Sequence, residues 1–195
     1  MTDRIILASA SPRRRELLRQ IGLEFSVAPS AVPEEALPGE SPEEHVVRLS
    51  LAKAAEVAGR PEIAGRWVIG SDTIVVCDEQ ILGKPLDAQD AARMLRMLSG
   101  REHQVLSGYA VIDRRTGRQL VEAVATRVRF RELTDGEIAR YIASGEPADK
   151  AGAYAIQGLG VCFVAGIAGS YTNVVGLPLC RLTLALKELG VPLPI

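Results

Sequence analysis

Short β-rich runs alternate with capped helical segments along the whole chain, and this alternation restricts the fold more than any single composition value. Residues 5–8 form a β-rich run, and Ser11-Pro12 behind them supplies an N-cap and a first-turn proline for a helix that stops near Gly22. Residues 25–28 are a second apolar run, followed by a loop rich in Pro and Glu over residues 29–40. Ser41-Pro42-Glu43-Glu44 is a capping box and predicts a helix with Val47, Leu51, Ala55 and Ala58 along its apolar stripe, closed by Gly59 and Pro61. Residues 67–70 and 73–77 read as one buried strand broken at Gly70-Ser71-Asp72. A helix is expected over residues 87–99, then an antiparallel pair over 104–113 and 119–130 joined at Thr116-Gly117. A second capping box, Thr134-Asp135-Gly136-Glu137, opens a helix to about Ser144. Two short β-like runs, 154–157 and 161–164, precede a final amphipathic helix over 179–189. With no repeat and no flexible linker, this order predicts a single mixed α/β domain over residues 1–195.

The chain is long enough, and at 47% hydrophobic residues apolar enough, to bury a substantial core. Its 23 basic and 24 acidic residues nearly cancel, so no global field recruits nucleic acid or an acidic membrane surface. An anionic ligand therefore has to be met by local groups. Cys77, Cys162 and Cys180 include no CxxC pair and have no histidine nearby to complete a zinc set, so they are expected to be reduced core thiols. The apolar run at residues 5–8 is too short for a signal peptide, and no run approaches membrane-spanning length. The expected location is cytoplasmic.

Two stretches carry the clearest chemistry. The first is Ser9 to Arg15, where Arg13, Arg14 and Arg15 occupy the first turn of the expected helix. Positive side chains there oppose the helix dipole by some tenths of a kcal/mol each, whereas the backbone N–H groups of a helix N-terminus attract anions. Phosphate contact accounts for the cluster; the ordinary alternative is a solvated basic turn paired with nearby acids. The second is Asp72, a carboxylate inside an apolar strand, which is costly to bury without a cation or donors. It should have a charged partner, and it could act as a general base towards water or as a hard oxygen ligand for Mg²⁺. An Asx turn at a strand end is the plainer reading. Lys84, in Leu82-Gly83-Lys84-Pro85, falls near the end of the same strand, and Lys53 lies beside the apolar stripe of its helix. Taken alone, each lysine is an ordinary solvated charge, and Glu34 and Glu35 are an ordinary acidic loop.

Several common machines are absent. The sequence has no GxxxxGKS/T loop, no GxSxG elbow and no HExxH, and Gly158-Leu159-Gly160 lacks the third glycine of a dinucleotide fingerprint. His45 and His103 are isolated and read as structural or exposed residues. The few aromatics, Tyr171 among them, are too scattered for a nucleic-acid stacking platform.

Four motifs in order, residues 7–14 (Leu-Ala-Ser-Ala-Ser-Pro-Arg-Arg), Gly70-Ser71-Asp72-Thr73, Gly83-Lys84-Pro85, and residues 149–158 (Asp-Lys-Ala-Gly-Ala-Tyr-Ala-Ile-Gln-Gly), resemble the Maf family of nucleotide pyrophosphatases. Gly169-Ser170-Tyr171 and Val175-Gly176-Leu177-Pro178 extend the likeness over nearly the whole chain. The resemblance implies a fold related to inosine triphosphate pyrophosphatases, an elongated central mixed sheet flanked by helices, with two lobes around a cleft. It also implies a divalent cation, Mg²⁺ or Mn²⁺, and a homodimer. Asp72 matches the family's proton acceptor and a metal position. Ser9, Arg13, Arg14, Glu34, Lys53 and Lys84 match its other active-site positions, with loop alignment leaving Glu34 and Glu35 both open for the carboxylate. Arg13, Thr73 and Gln157 match positions linked with base selection, and the Ile156-Gln157-Gly158 segment is similar to the subgroup acting on dTTP and UTP. The expected reaction is hydrolysis of a nucleoside triphosphate to monophosphate and pyrophosphate. The alternatives are a house-cleaning hydrolase of modified nucleotides and a nucleotide-binding regulator of cell division or septum formation.

Overall fold

The computed structural model describes residues 3–194. Seven strands, β1 (Ile5–Leu7), β2 (Phe25–Val27), β3 (Trp67–Cys77), β4 (Gln80–Leu82), β5 (Glu102–Asp113), β6 (Gln119–Phe130) and β7 (Val164–Ala168), hydrogen-bond in the order β2-β1-β3-β5-β6-β7, with β4 on β3. Six α-helices accompany them among the described residues: α1 (Pro12–Gln20), α2 (Pro42–Ala58), α3 (Ala88–Leu98), α4 (Asp135–Ala143), α5 (Tyr171–Val175) and α6 (Leu179–Glu188). The sheet is mixed. β1 runs parallel to β2 and to β3, which requires crossover connections, and α1 and α2 lie in them. β3–β4 and β6–β7 are antiparallel. This is the mixed α/β architecture that the alternation of runs predicts.

The helix ends follow the capping chemistry. Ser41 and Glu44 close a reciprocal capping box on α2, and Thr134 and Glu137 do the same on α4. Ser11 accepts the Arg14 backbone N–H at the start of α1, and Asp87 accepts that of Asp90 at the start of α3.

Contacts divide the chain into two compact units that interleave in sequence. The first holds the described residues through Asp72, Ser107–Val124 and those from Gly176 onward; the second holds Thr73–Leu106 and Ala125–Val175. In the first unit, α2 packs on the sheet through a core that includes Ile6, Ala8, Ala54, Val57, Val68 and Ala110. Two glycines permit its close approach. A Cβ on Gly70 would lie 2.2 Å from the Ser50 carbonyl oxygen, and one on Gly108 would lie 2.2 Å from that of Val46. In the second unit α3 and α4 bury Leu95, Leu98 and Ile138 against Val75, Phe130 and Phe163. Edge-to-face contacts run through His103, Phe130, Tyr154, Phe163 and Tyr141 at centroid distances of 4.7–6.0 Å.

Four local expectations need correction. The buried face of α2 is His45, Val46, Leu49, Ser50, Lys53, Ala54 and Val57, while Ala55 is exposed and Val47, Leu51 and Ala58 are partly buried. Periodicity of apolar residues missed the phase because three of the inward positions are polar. β3 runs unbroken through Gly70-Ser71-Asp72, because the polar groups there find partners: Ser71 Oγ donates to the Gly108 carbonyl at 2.8 Å, and the Asp72 N–H donates to Ser50 Oγ at 3.0 Å. Residues 154–157 form no strand, and residues 158–163 form a 3-10 turn (Gly158–Phe163), so that β7 begins only at Val164. Positive φ angles at Gly152, Ala153 and Gly158 turn that segment out of extended geometry. Finally, Cys77 is buried but Cys162 and Cys180 are exposed, so only one thiol belongs to the core. Neither β4 nor α5 was expected; both are too short for a periodic signal.

Candidate functional site

The contact of α2 with β3 at Gly70 carries Lys53 inward. Lys53 is 6% exposed, and its Nζ donates to Asp72 Oδ1 at 2.7 Å and to Glu34 Oε1 at 2.6 Å. Asp72 is itself 6% exposed, whereas about half of the Glu34 side chain reaches solvent. One compact ammonium with three donors is thus shared by two carboxylates. Glu34, rather than Glu35, supplies the loop carboxylate. Glu35 contributes its backbone carbonyl to Arg48 Nη2 at 3.0 Å. Lys53 corrects the expectation of a solvated lysine: it lies within the buried face of its helix. Asp72 has the charged partner that its place in an apolar strand demanded.

On the other side of Asp72 stands His45, a histidine isolated in the sequence. Its Nε2 is 4.0 Å from Asp72 Oδ2, and its Nδ1 is 3.1 Å from Glu40 Oε2. A carboxylate only accepts, so the pairing assigns the Nδ1 proton to His45 as donor to Glu40. Arg48 Nη2 donates to the same Glu40 oxygen at 2.8 Å, and its hydrogen bonds hold the Glu40 carboxyl down at about 2. Glu40, His45 and Ser50 therefore join the site by supporting its acid. The available signal was the helical spacing of His45, Leu49 and Lys53, legible only once the inward face of α2 is known.

The arginine turn belongs to the same unit. Ser9, 7% exposed, accepts from the Ser11 N–H at 3.2 Å and from Arg14 Nη1 at 3.1 Å. Arg14 Nη1 also donates to the Ser71 carbonyl at 2.8 Å, and Nε donates to the Gly176 carbonyl at 2.8 Å. Arg14 thereby ties the start of α1 to the residue preceding Asp72. Burial lowers the pKa of Arg14, the charge of Asp72 raises it, neighbouring Arg13 lowers it again and Glu34 raises it, with a net downward shift. The guanidinium remains protonated, so a partly buried cation with a like-charged neighbour stands at a helix N-terminus whose first turn has no acid. Such a turn favours an added anion.

The first unit thus gathers Ser9, Arg14, Glu34, Lys53 and Asp72 around residues 71–72, with half-buried Arg13 on the same turn. The remaining expected residues lie in the second unit. Thr73 follows Asp72 on β3 and is half-buried; Lys84 is exposed after β4; Gln157, half-buried, is the N-cap of the 3-10 turn Gly158–Phe163. The turn carrying Lys84 is anchored by the Gly152 N–H, which donates to the Gly83 carbonyl at 3.0 Å.

The donor set suits a hard divalent cation. Asp72 and Glu34 offer carboxylate oxygens that already converge on one positive charge. Among the described residues no group of three or more His, Cys, Asp and Glu side chains could hold a metal ion alone. Two carboxylates completed by water and substrate phosphates are the usual surroundings of Mg²⁺. No helix among the described residues is long and apolar enough to cross a membrane.

Comparison with known proteins gives this geometry a context. Residues 4–189 match the family model described as Maf-like protein. The chain is 64% identical over 186 residues to a protein named dTTP/UTP pyrophosphatase from Syntrophotalea carbinolica, covering 95% of this chain and 84% of that one. It is 56% identical to a protein of the same name from Geobacter metallireducens, covering 96% and 97%. A third of that name, from Anaeromyxobacter dehalogenans, is 50% identical over 100% of this chain and 98% of its own. With a family match over nearly its full length and relatives at this identity, the chain belongs to the Maf family.

Proposed function

We propose that this protein hydrolyses dTTP and UTP to the nucleoside monophosphate and pyrophosphate. One observation carries the reading: a buried aspartate held on a lysine shared with a second carboxylate, beside an arginine-rich helix N-terminus. Relatives named dTTP/UTP pyrophosphatase at 50–64% identity support the choice of substrate.

In this reading Lys53 pins Asp72 Oδ1, leaving the second carboxylate oxygen to take a proton from water. The water oxygen bonds to the α-phosphorus as the bond from that phosphorus to the bridging oxygen breaks, and pyrophosphate leaves. Arg13, Arg14, Lys53 and Lys84 neutralise the triphosphate, and they favour the charge growing on the bridging oxygen over the bound ground state, which is what accelerates the step. Ser9 and Thr73 complete the polar contacts. Asp72 and Glu34 would hold Mg²⁺ or Mn²⁺, which when bound supplies charge neutralisation at the phosphates. The Gln157 amide both donates and accepts, which suits the O4 and N3–H edge of uracil or thymine. A homodimer in the cytoplasm goes with this reading.

Pyrophosphate release from each common nucleoside triphosphate, with Mg²⁺ or Mn²⁺, tests reaction and base preference together. Release confined to dTTP and UTP is the expected result. Phosphate release, or binding without turnover, would overturn it.

A further inference from the structure

The segment that carries Gln157 takes its shape from one carboxylate. Glu146, half-buried at the start of the 3-10 turn Glu146–Asp149, accepts three hydrogen bonds within the second unit. The Leu159 N–H donates to Oε2 at 3.0 Å, the Gly160 N–H to Oε1 at 3.1 Å, and the Tyr141 hydroxyl to Oε1 at 2.8 Å. The Tyr141 oxygen in turn accepts the Ala155 N–H at 3.1 Å. Glu146 and Tyr141 therefore grip the backbone on both sides of Gln157, at residue 155 and at residues 159–160.

The fit leaves no room for side chains. A Cβ on Gly158, whose φ is +69°, would lie 2.5 Å from Glu146 Oε2. On Gly160 a Cβ would lie 2.3 Å from the Ala155 carbonyl oxygen and 2.8 Å from the Tyr141 hydroxyl. Tyr141 is itself fixed, 3% exposed, with its ring 4.8 Å from that of Phe163. Every partner of Glu146 is a donor, and an ionised carboxylate is an acceptor at both oxygens. Burial raises the pKa of Glu146, but the bonds from Leu159, Tyr141 and Gly160 and the charge of Lys150 bring it below its ordinary value. A glutamine of the same shape keeps one accepting oxygen and turns an NH₂ group towards an N–H or O–H donor.

We propose that Glu146 is the positioning residue for base selection: together with Tyr141 it fixes the backbone around Gln157, so that the amide meets the pyrimidine edge in one orientation. Glu146 acts through the loop and touches no substrate atom. The inference rests on the reading of Gln157 as the residue facing the base. Discrimination by hydrogen bonding needs the reading group held to roughly 0.5 Å, which a loop achieves only with such support.

The test compares kcat/KM for UTP and CTP in Glu146→Gln, Tyr141→Phe and Gln157→Ala. The preference for UTP should fall about tenfold in Glu146→Gln and about threefold in Tyr141→Phe, mostly through a higher KM for UTP. General loss of fold would lower both substrates together and leave the ratio unchanged. Folded variants at both positions that keep the original ratio overturn the proposal. If Glu146→Gln fails to fold, Tyr141→Phe, which removes one oxygen from a packed ring, decides between the same two outcomes. Gln157→Ala separates the claims. An unchanged ratio there removes the reading of Gln157, and a ratio lost there but intact in the other two variants removes the positioning role alone.

Discussion

Arg66 with Asp113 and Lys53 with Asp72 are both buried ion pairs of the first unit, yet they are built differently. Arg66 meets Asp113 as a fork, Nε to Oδ1 at 3.0 Å and Nη2 to Oδ2 at 2.8 Å, and the Arg115 N–H adds a third bond at 2.9 Å. The guanidinium also stacks 4.3 Å from the Trp67 ring. Those bonds hold the Asp113 carboxyl well below the usual carboxylate range, against a burial effect that would raise it. Lys53 is one point charge divided between two acids, and the second oxygen of Asp72 faces an imidazole nitrogen 4.0 Å away rather than a saturating donor. A closed fork fixes structure. A shared ammonium keeps a second carboxylate when one of its partners is lost, so this pair can be rearranged without stranding a buried charge.

Breaking the closed pair should have the largest effect. Asp113→Ala leaves a buried guanidinium without its main partner and should cost about 3–5 kcal/mol of stability by denaturant titration, while kcat/KM of the folded enzyme stays within about twofold. A large loss of activity in a stable variant would erase the contrast between the pairs. Asp72→Asn should do the reverse. Turnover should drop at least about a hundredfold with stability nearly unchanged, since Lys53 keeps Glu34. Near-normal pyrophosphate release would remove Asp72 as the proton acceptor.

Gly70→Ala probes how the open pair is assembled. Its Cβ must push the Ser50 carbonyl away, so α2 should shift and destabilise the protein by about 1–3 kcal/mol, with kcat falling alongside. Unaltered stability and kcat would mean that the close approach does not set the position of Lys53. A smaller effect comes from His103, a buried base in the second unit paired with the Tyr154 hydroxyl at 2.8 Å rather than with an acid. Burial pushes His103 down to about 4 from 6.5. Its unfolded form binds a proton first as pH falls, so its contribution is complete above the unfolded value and is lost between 6.5 and about 4. Stability should decline by about 1–2 kcal/mol from pH 6.5 to about pH 5, and His103→Gln should flatten that limb in thermal melts across pH. An equally steep limb in the variant would assign it to other groups.

Much of the fold was legible in the sequence because caps and β-rich runs are local signals. Both capping boxes, the serine cap of α1 and the long strands came through with small boundary errors. The site was legible in part. Asp72 stood out by being charged in apolar surroundings, and the family resemblance pointed to Lys53, which taken alone reads as a surface lysine; Lys84, which the resemblance also named, is exposed after β4. Glu40 and His45 carried no such mark, since an acidic loop residue and a lone histidine look ordinary until a buried carboxylate is placed beside them. The segment at residues 154–163 misled because valines and aromatics that suggest strands serve there in a tight 3-10 turn and a core contact.

The order of helices and strands, their caps and the presence of one costly buried acid were determined by residues acting on their near neighbours, over a few positions of chain. Which face of α2 turns inward, which glutamate reaches Lys53, and how Glu146 shapes the loop around Gln157 were decided only by tertiary structure. Those choices depend on groups far apart in sequence meeting at distances of about 3 Å, and neither propensity nor periodicity encodes such meetings.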